Sequence, residues 1–436
     1  MYVSSSRSTP APGTDRDAPP SGAPSAGGPP ADAPSRSLRA RAAVAPNVVA
    51  LGSVSLITDI SSEMITAVLP MYVIYTLGLS PLQFGALNGM YFGITAVVRL
   101  AGGHAADRWQ RRKLVAGSGY ALSALCKLGL FAAGASVPAL GVVIAADRTG
   151  KGLRTGPRDA LISLSSTPGT LGRSFGIHRA LDTTGAFLGP LVAFALLLAD
   201  PDRYDTVFVA SFCIAAFAVA VLALTVRDRR EAQAGPRGAT LRAALRLLLL
   251  PRFRRVCVGA ALLGTVALSD SFVYLLLQER LDIAVAYFPL LPLGTTATYL
   301  LLAVPFGQLA DRLGRLRVFV GGYGALLGAY LLLFGPLGGA ALLIVTLVLH
   351  GLFYAATDGV LMAAVGPLLP VELRASGMAL IQTGQSVAML ASSVLFGAAW
   401  TLWGLHTALA VALAALFTAI LAALWILPLR AEGSAV

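Results

Sequence analysis

Twelve apolar stretches separated by short loops constrain the fold of this 436-residue chain more than any other feature. A stretch of about 20 apolar residues crosses a bilayer as a helix, because every backbone polar group in a membrane must be satisfied within its own segment. The stretches of the first half are 48–76, 82–104, 113–134, 138–160, 174–198 and 205–227. Those of the second half are 256–278, 285–309, 317–336, 339–364, 376–400 and 405–428. The sequence therefore predicts an all-α membrane protein with twelve transmembrane helices in two six-helix bundles.

The composition agrees with this class of protein. Hydrophobic residues make up 56% of the chain, charged residues 12%, and the mean hydropathy is +0.75. The net charge of +12 could indicate a nucleic-acid partner, but the arginines lie in short loops between apolar stretches, as the positive-inside rule expects. The sequence contains no disulfide framework, metal motif, catalytic triad or nucleotide-binding loop. We therefore expect no enzyme activity, no metal or other cofactor and no nucleic-acid partner.

Composition divides the chain into five segments. Residues 1–46 are rich in Pro, Ala, Gly, Ser and Asp and are predicted to form a disordered cytoplasmic tail. The two bundles are expected at 47–227 and 256–428, with a basic cytoplasmic linker at 228–255 and a short cytoplasmic tail at 429–436. Both termini would then be cytoplasmic. A topology of ten or eleven spans with one re-entrant segment stays open, because the fourth stretch is so polar.

A short basic segment occurs once in each half, and each copy joins two apolar stretches. Residues 103–113 read GHAADRWQRRK, and residues 307–317 read GQLADRLGRLR. The repetition indicates two related halves. Both copies resemble the signature loop of the major facilitator superfamily, G-x-L-x-D-R-x-G-R-R, with Gln110 where that family usually has glycine. The resemblance implies a secondary transporter that rocks two six-helix bundles around a site at the membrane midplane.

The same resemblance implies a gating role for the loop residues. In that superfamily the loop aspartate lies near the positive end of a helix from the other half, and the loop arginines hold cytoplasmic acids. Such contacts favour a conformation closed toward the cytoplasm without touching the substrate. The corresponding residues are Asp107, Arg108, Arg111, Arg112, Asp311, Arg312 and Arg315.

Charged residues inside the spans are the candidates for transport chemistry, because an unpaired charge in a bilayer is costly. Asp59 and Glu63 lie one helical turn apart near the middle of the first span. Burial and mutual repulsion favour protonation of at least one of the two carboxyls, which proton coupling requires. Structural pairing with cations of neighbouring helices is the alternative, and the sequence does not decide between them.

Those cations lie in the fourth span. Asp147, Lys151, Arg154 and Arg158 form one helical stripe with Arg148 at its edge, and this stripe is expected to line the central cavity. Residues 148–152 read RTGKG and resemble the superfamily pattern R-x-x-Q-G, whose arginine is linked to proton transfer. Lysine replaces glutamine here, and a purely structural ion-pair network remains the alternative.

The fifth span supplies a third resemblance. Its spacing G-x8-G-x3-G-P matches a motif of drug/proton antiporters, in which aligned glycines permit close helix packing and proline bends the helix. The matching residues are Gly176, Gly185, Gly189 and Pro190. The two glycines that end the family motif are Ala193 and Phe194 here. Asp182, in the same span, is expected to be the counter-ion of Arg148 or Lys151.

Lysine is scarce in this chain, and the second half adds two further acids. Only three of the 33 basic residues are lysine, and Lys127 and Lys151 both lie within spans. Because a desolvated lysine can lose its proton, one of them is expected to titrate or to bind substrate. His350, in the tenth span, is more typical of a structural histidine. The predicted coupling and cavity residues are Asp59, Glu63, Arg148, Lys151, Arg154, Asp182, Asp270 and Asp358.

Together these features predict proton-coupled efflux of a small organic molecule by alternating access. The protein would act as a monomer in the bacterial cytoplasmic membrane. Uptake or exchange of an anionic solute is the alternative, because basic residues outnumber acids in the spans of the first half. A receptor or scaffold without flux is a third class, and it would need neither gating residues nor buried acids. Neither the substrate nor the direction of transport follows from the sequence.

Overall fold

The computed structural model describes residues 45–109, 111–167, 170–200, 203–228, 245–370 and 373–428, which form helices and no β-strand. The first half contains α1 (Pro46–Met71), α2 (Pro81–Trp109), α3 (Arg112–Ala132), α4 (Val137–Ser165), α5 (Leu171–Ala199) and α6 (Tyr204–Thr225). The second half contains α7 (Pro251–Val266), α8 (Asp270–Leu281), α9 (Leu291–Leu313), α10 (Arg315–Phe334), α11 (Gly339–Val365), α12 (Arg374–Trp403) and α13 (Leu405–Ile426). The seventh span consists of α7 and α8, so α9 to α13 are spans eight to twelve.

The twelve predicted spans are confirmed as helices. Among the described residues, ten spans are long and apolar enough to cross a membrane, and α2 and α4 are outside that group. The polar α4 is nevertheless one continuous helix of 29 residues. Residues 251–255 of the predicted linker, 228–255, belong to α7, which begins at Pro251. The predicted tails, 1–46 and 429–436, and linker residues 229–244 lie outside the described residues, apart from 45 and 46.

Local sequence signals explain several helix boundaries. Proline occupies the first turn of α1, where its missing N–H costs no helical hydrogen bond. The Ser136 hydroxyl accepts a hydrogen bond from the Ala139 N–H and caps α4. Gly314 separates α9 from α10 with a φ of 102°, a backbone conformation that favours glycine. The glycine of the second basic loop is therefore required by the turn, whereas the corresponding Gln110 lies outside the described residues.

The two halves repeat one packing pattern. In the first half α1 packs against α5 and α6, α4 packs against α2 and α3, and α3 also contacts α6. In the second half α7 packs against α12 and α13, α11 packs against α9 and α10, and α10 also contacts α13. Each pair in the second half corresponds to a pair six spans earlier. The two related bundles predicted from the duplicated loop are therefore present in the fold.

The halves meet along a seam of glycines between α2 and α12. Glycine occurs at every fourth position from 85 to 93, and a side chain at Gly85 would collide with the carbonyl oxygen of Ser393. A side chain at Gly397 would likewise collide with the carbonyl oxygen of Pro81. Backbone approaches this close are typical of small residues at helix contacts in membranes.

The seam lies at the end of the bundle remote from the basic loops. We call the end that carries the loops at 103–113 and 307–317 the basic face, and the other end the opposite face. Near the opposite face the Leu82 N–H donates to the Thr401 hydroxyl at 2.9 Å, and the Tyr75 hydroxyl lies 3.1 Å from a Glu279 carboxylate oxygen. The pseudo-symmetric contact, between α5 and residues 285–290, lies at the same face. The structure is thus closed at the opposite face.

The seventh span is broken at residues 267–269, where the sequence predicted one continuous helix. The Leu268 N–H donates instead to the Tyr330 hydroxyl at 2.6 Å, and the Ala267 carbonyl accepts from the Ser392 hydroxyl. Side chains of α10 and α12 therefore satisfy backbone groups that a helix would have satisfied, which makes the break tolerable in a membrane. The break leaves Asp270 at the first position of α8.

A side chain added to the seam should shift the protein away from the state closed at the opposite face. Gly397→Ala forces backbone displacement against Pro81, and overpacking of this kind costs about 1–3 kcal/mol. Electron-electron distances between spin labels on the loops at 77–80 and 404 should lengthen in this variant. Gly384→Ala on the same helix is the control, because no atom lies within 4 Å of its added carbon. Equal distance distributions in both variants would contradict the gating role of the seam.

Candidate functional site

A cavity of about 470 Å³ lies between the two halves, beside the glycine seam. Its walls come from α1 to α4 in the first half and from α8, α9 and α11 in the second half. The volume falls within the range of about 300–1,000 Å³ found for small-molecule sites. Aromatic rings occupy much of the wall: Phe84, Tyr91, Phe92, Tyr274, Tyr299 and Tyr354.

The first-half wall of the cavity carries a closed ionic cluster around Asp147. Lys127 Nζ lies 3.0 Å from Asp147 Oδ1, and Arg148 Nε donates to Asp147 Oδ2 at 3.0 Å. The Ser123 hydroxyl also donates to Asp147 Oδ1. The Arg148 guanidinium lies 3.9 Å from the centre of the Tyr91 ring, which adds a cation–π contact. Both cations of this wall are therefore held by protein groups.

The second-half wall carries two carboxylates in a different setting. Asp270 accepts a hydrogen bond from the Tyr354 hydroxyl, and its side chain is 44% exposed. Asp358 accepts from the Tyr299 hydroxyl at 3.4 Å and is exposed. Among the described residues, neither carboxylate has a lysine or arginine within 4.0 Å. Glu63 of α1 also lines the cavity, and no lysine or arginine of the described residues lies within 4.0 Å of its carboxylate.

The described lining of the cavity is therefore acidic. It contains four carboxylates, of which one is shared by the two cations, Lys127 and Arg148. A cationic ligand group would find unpaired carboxylates there, whereas an anionic group would have to displace Asp147 from its partners.

A second ionic network lies behind the cavity wall and joins α4 to α1 and α5. Arg154 Nη2 lies 3.6 Å from Asp59 Oδ1, and Arg158 Nη1 lies 3.6 Å from Asp182 Oδ1. The carboxyls of Asp59 and Asp182 are close enough to share a hydrogen bond. Arg154 is 3% exposed and also faces the Tyr120 ring, with 4.7 Å between guanidinium carbon and ring centre. Two carboxyls in direct contact can share one proton.

The predicted cavity residues fall into two groups. Glu63, Arg148, Asp270 and Asp358 line the cavity, whereas Asp59, Lys151, Arg154 and Asp182 do not. The stripe on α4 was expected to face the cavity along its length, but only its Asp147 end does so. Carboxylates of α1 and α5 neutralise the remainder of the stripe behind the wall.

The expected partner of Asp182 also differs from the structure. Asp182 was expected to pair with Arg148 or Lys151, but it lies beside Arg158 and 3.5 Å from Arg179. Arg148 is already engaged by the adjacent Asp147, so it needs no carboxylate from α5. Asp270 faces the cavity from the broken seventh span, whereas Asp59 of the first span does not line the cavity.

The gating residues are only partly described. Asp107 and Arg108 have no described side chains; Arg111, Arg112 and Arg312 lie beside or within the basic loops. Asp311 pairs with Arg315 of its own loop at 2.9 Å, and Arg315 also donates to the Ala363 carbonyl at 2.8 Å. Among the described residues, Asp311 makes no hydrogen bond or ion pair with the other half, where the predicted contact would lie. This agrees with halves that meet at the opposite face.

Only part of the glycine motif of α5 serves close helix packing. A side chain at Gly185 would collide with the Leu56 carbonyl oxygen, and one at Gly189 would lie 2.7 Å from the Ile60 carbonyl oxygen. These glycines and Pro190 lie within α5 where it packs against α1. Gly176 lies nearer the start of α5, with no atom within 4 Å of an added carbon, so it does not serve the close packing that was expected.

Three features of the site were not predicted from the sequence. The pairing of Lys127 with Asp147 joins two spans, and only the scarcity of lysine pointed toward it. The seam on α2 has a visible signal in its four-residue glycine spacing. His350 was expected to be a satisfied structural histidine, but its Nε2 atom has no hydrogen-bond partner among the described residues.

Two pseudo-symmetric helical bundles around a cavity with charged groups in its wall are the architecture of a secondary transporter. The chain matches the family model described as Major Facilitator Superfamily over residues 51–298 and 271–436, and it belongs to that family. An uncharacterised MFS-type transporter of Methanocaldococcus jannaschii is 30% identical over 366 residues, which cover 82% of this chain and 89% of the relative.

Solved structures of transporters share the fold. The nucleoside transporter NupG superimposes with a TM-score of 0.73 at 17% identity, over 89% of this chain and 99% of that one. A POT family transporter in complex with 5-aminolevulinic acid gives a TM-score of 0.71 at 14% identity, over 88% of this chain and 95% of that one. The protein is thus a multi-pass membrane transporter of the superfamily that the duplicated loop predicted.

Removal of the Asp147 charge should destabilise the protein strongly. Asp147→Asn leaves Lys127 and Arg148 buried without a counter-ion, and loss of one partner of a buried ion pair costs about 3–5 kcal/mol. Thermal unfolding in detergent measures the effect. Asp159→Asn is the control, because that carboxylate is 42% exposed and should change stability by only about 0.5 kcal/mol. Similar stability losses in the two variants would contradict the role of Asp147 as the centre of the cluster.

Proposed function

We propose that this protein exports a small organic cation in exchange for protons by alternating access. The observation that carries the proposal is the pair of carboxylates on the second-half wall, Asp270 and Asp358, which face the cavity without a lysine or arginine partner. A carboxylate that faces a cavity between membrane spans favours a cation, which the substrate can supply. The surrounding aromatic rings suit an apolar or aromatic body attached to that cation.

The anionic alternative receives less support from the cavity. It was based on the excess of basic residues in the first-half spans. Arg154 and Arg158 belong to the network behind the wall, and the two cations on the wall are both held by Asp147. An anionic substrate would therefore face mainly carboxylates.

Proton coupling is supported by interior carboxyls that can change their charge. Asp59 and Asp182 are in contact and can share a proton, and their partners Arg154 and Arg158 both lie on α4. Protonation of this pair would weaken the ion pairs that tie α4 to α1 and α5. The network thus offers a way for a proton to alter packing within the first bundle.

The proposed orientation follows the distribution of charge. Basic residues are concentrated in the two loops and the linker, so the basic face would lie in the cytoplasm, together with both termini. The closed seam then faces the outside, and the cavity would open toward the cytoplasm to load its substrate. We place the protein in the bacterial cytoplasmic membrane as a monomer.

Reconstitution into proteoliposomes tests cargo and coupling together. The compartment at the face opposite to the basic loops is made acidic. Benzyltrimethylammonium and tetraphenylphosphonium should then accumulate in that compartment as protons leave it, while benzoate and succinate should not. Collapse of the gradient with a protonophore should stop concentrative transport. Inward movement of an anion together with protons would reject the proposed function, and cation flux indifferent to pH would remove its proton coupling.

The ion pair of the second basic loop should affect turnover more than substrate binding. Asp311→Asn removes the partner of Arg315, and neither residue lines the main cavity, so the affinity for benzyltrimethylammonium should change less than about twofold. The transport rate should fall about tenfold or more if each lost gating contact contributes about 1–2 kcal/mol. Binding calorimetry and flux measurements separate the two effects. Affinity lost in proportion to rate would overturn the gating assignment.

A further inference from the structure

We infer that His350 and Asp270 form the site at which the coupling proton and the cationic group of the substrate exclude each other. The site would exchange one proton for one monovalent organic cation. This inference rests on the proposed function, because it assigns the proton of that exchange to particular atoms. It places the competition between proton and cation on the second-half wall, and it leaves the Asp59–Asp182 network behind the first-half wall its separate effect on packing within the first bundle.

His350 occupies an unusual position for a polar side chain. It is 0% exposed, yet it lies directly behind a carboxylate that faces the cavity. Its Nδ1 atom lies 3.4 Å from the Thr295 hydroxyl, and its Nε2 atom lies 3.5 Å from Asp270 Oδ1. Nε2 makes no hydrogen bond within the described part of the chain. In the tautomer whose Nδ1–H donates to the Thr295 hydroxyl, Nε2 carries no hydrogen and can accept a proton.

The surroundings of His350 isolate this pair electrostatically. The ring stacks on Phe353 and meets the edges of Tyr274 and Tyr354. Asp270 is the one charged group within salt-bridge distance among the described residues. The titratable or charged groups around the pair are Tyr274 and Asp270 on α8, Tyr299 on α9, Tyr323 and Tyr330 on α10, and Tyr354 and Asp358 on α11. No lysine or arginine of the described chain competes for Asp270.

The charge of the imidazole therefore decides what Asp270 can bind. With neutral His350, Asp270 holds only the Tyr354 hydroxyl and presents its negative charge to the cavity, where an organic cation can bind. A proton that hydronium in the cavity delivers to the Asp270 carboxyl can pass on to Nε2, and the resulting imidazolium forms an ion pair with Asp270. The pair is then neutral, and the cation loses its partner and leaves. The O–H bond to that proton breaks as the N–H bond of the imidazolium forms, and no other covalent bond changes.

The same competition explains why the exchange of a cation for a proton would be obligatory. The site has the same net charge with a bound cation as with a bound proton, because each neutralises Asp270 once. The empty site with neutral His350 keeps an unpaired carboxylate, and enclosure of that charge between the bundles is unfavourable. The halves would therefore rock readily with a cation or with a proton, and poorly with neither.

Proton release on cation binding tests the assignment. Benzyltrimethylammonium carries a permanent charge, so any proton released during its titration comes from the protein. The full chain in weakly buffered detergent solution should release up to one proton per bound cation. Its affinity for the cation should fall by about tenfold for each unit by which the pH is lowered, once the proton competes fully. His350→Gln should bind the cation with an affinity independent of pH and release no proton.

His178→Gln provides a matched control, because His178 is also buried and makes a hydrogen bond to the Ser55 hydroxyl at 3.0 Å, remote from Asp270. This variant should release protons as the wild type does. In the wild type, nitrogen NMR of labelled imidazole offers a readout that needs no variant: saturating cation should prevent protonation of one of the four histidines.

The outcomes separate this inference from the proposed function. A His350→Gln variant that still releases protons on cation binding, or wild-type histidine signals that ignore the cation, would overturn the assignment while leaving cation export intact. A wild type that binds neither benzyltrimethylammonium nor tetraphenylphosphonium would reject the cation substrate and this inference with it.

Discussion

The demand that every interior charge find a partner organises this transporter. In a bilayer a charged side chain is stable only beside an opposite charge, in a polar cavity or at the interface. Asp147 satisfies that demand for Lys127 and Arg148, and the carboxylates of α1 and α5 satisfy it for the rest of α4. The ionic contacts thus hold the most polar span inside the first bundle. The second bundle leaves its acids open to the cavity.

This asymmetry gives the two pseudo-symmetric halves different roles. Their helices repeat one packing pattern, yet the cations are concentrated in the first half and the unpaired carboxylates of the cavity mainly in the second. The first half resembles a rigid wall with its own counter-ions. The second half contributes Asp270 and Asp358 on helices that surround the break at 267–269. A shared architecture therefore carries unequal chemistry.

The sequence was informative where a local pattern decides the structure. Apolar length located all twelve spans, and the duplicated loop indicated the two halves and their family. The facing of charges was harder to predict, because a helical stripe such as 147–158 does not reveal which neighbour covers it. Here Asp59 on α1 and Asp182 on α5 cover the rest of the stripe. The break before Asp270 likewise depends on the hydroxyls of Tyr330 and Ser392, which are distant in the sequence.

His350 shows the same limit in a single residue. A lone histidine in an apolar helix is most often a satisfied structural group, and nothing nearby in the sequence contradicts that. Its significance depends on Asp270, which the broken span brings to within 3.5 Å. The site thus required the tertiary structure, although both residues were noticed as polar exceptions in apolar stretches.

The contrast between the glycine seam and the basic loops has a consequence for the environment of the protein. The seam joins backbone to backbone with few charges, so dissolved salt has little to screen there. The basic face carries arginines beside carboxylates, and both ionic strength and anionic lipid headgroups act on such groups. The two ends of the protein are therefore sensitive to different variables: helix fit and bilayer mechanics at the seam, and ionic strength and lipid charge at the basic face.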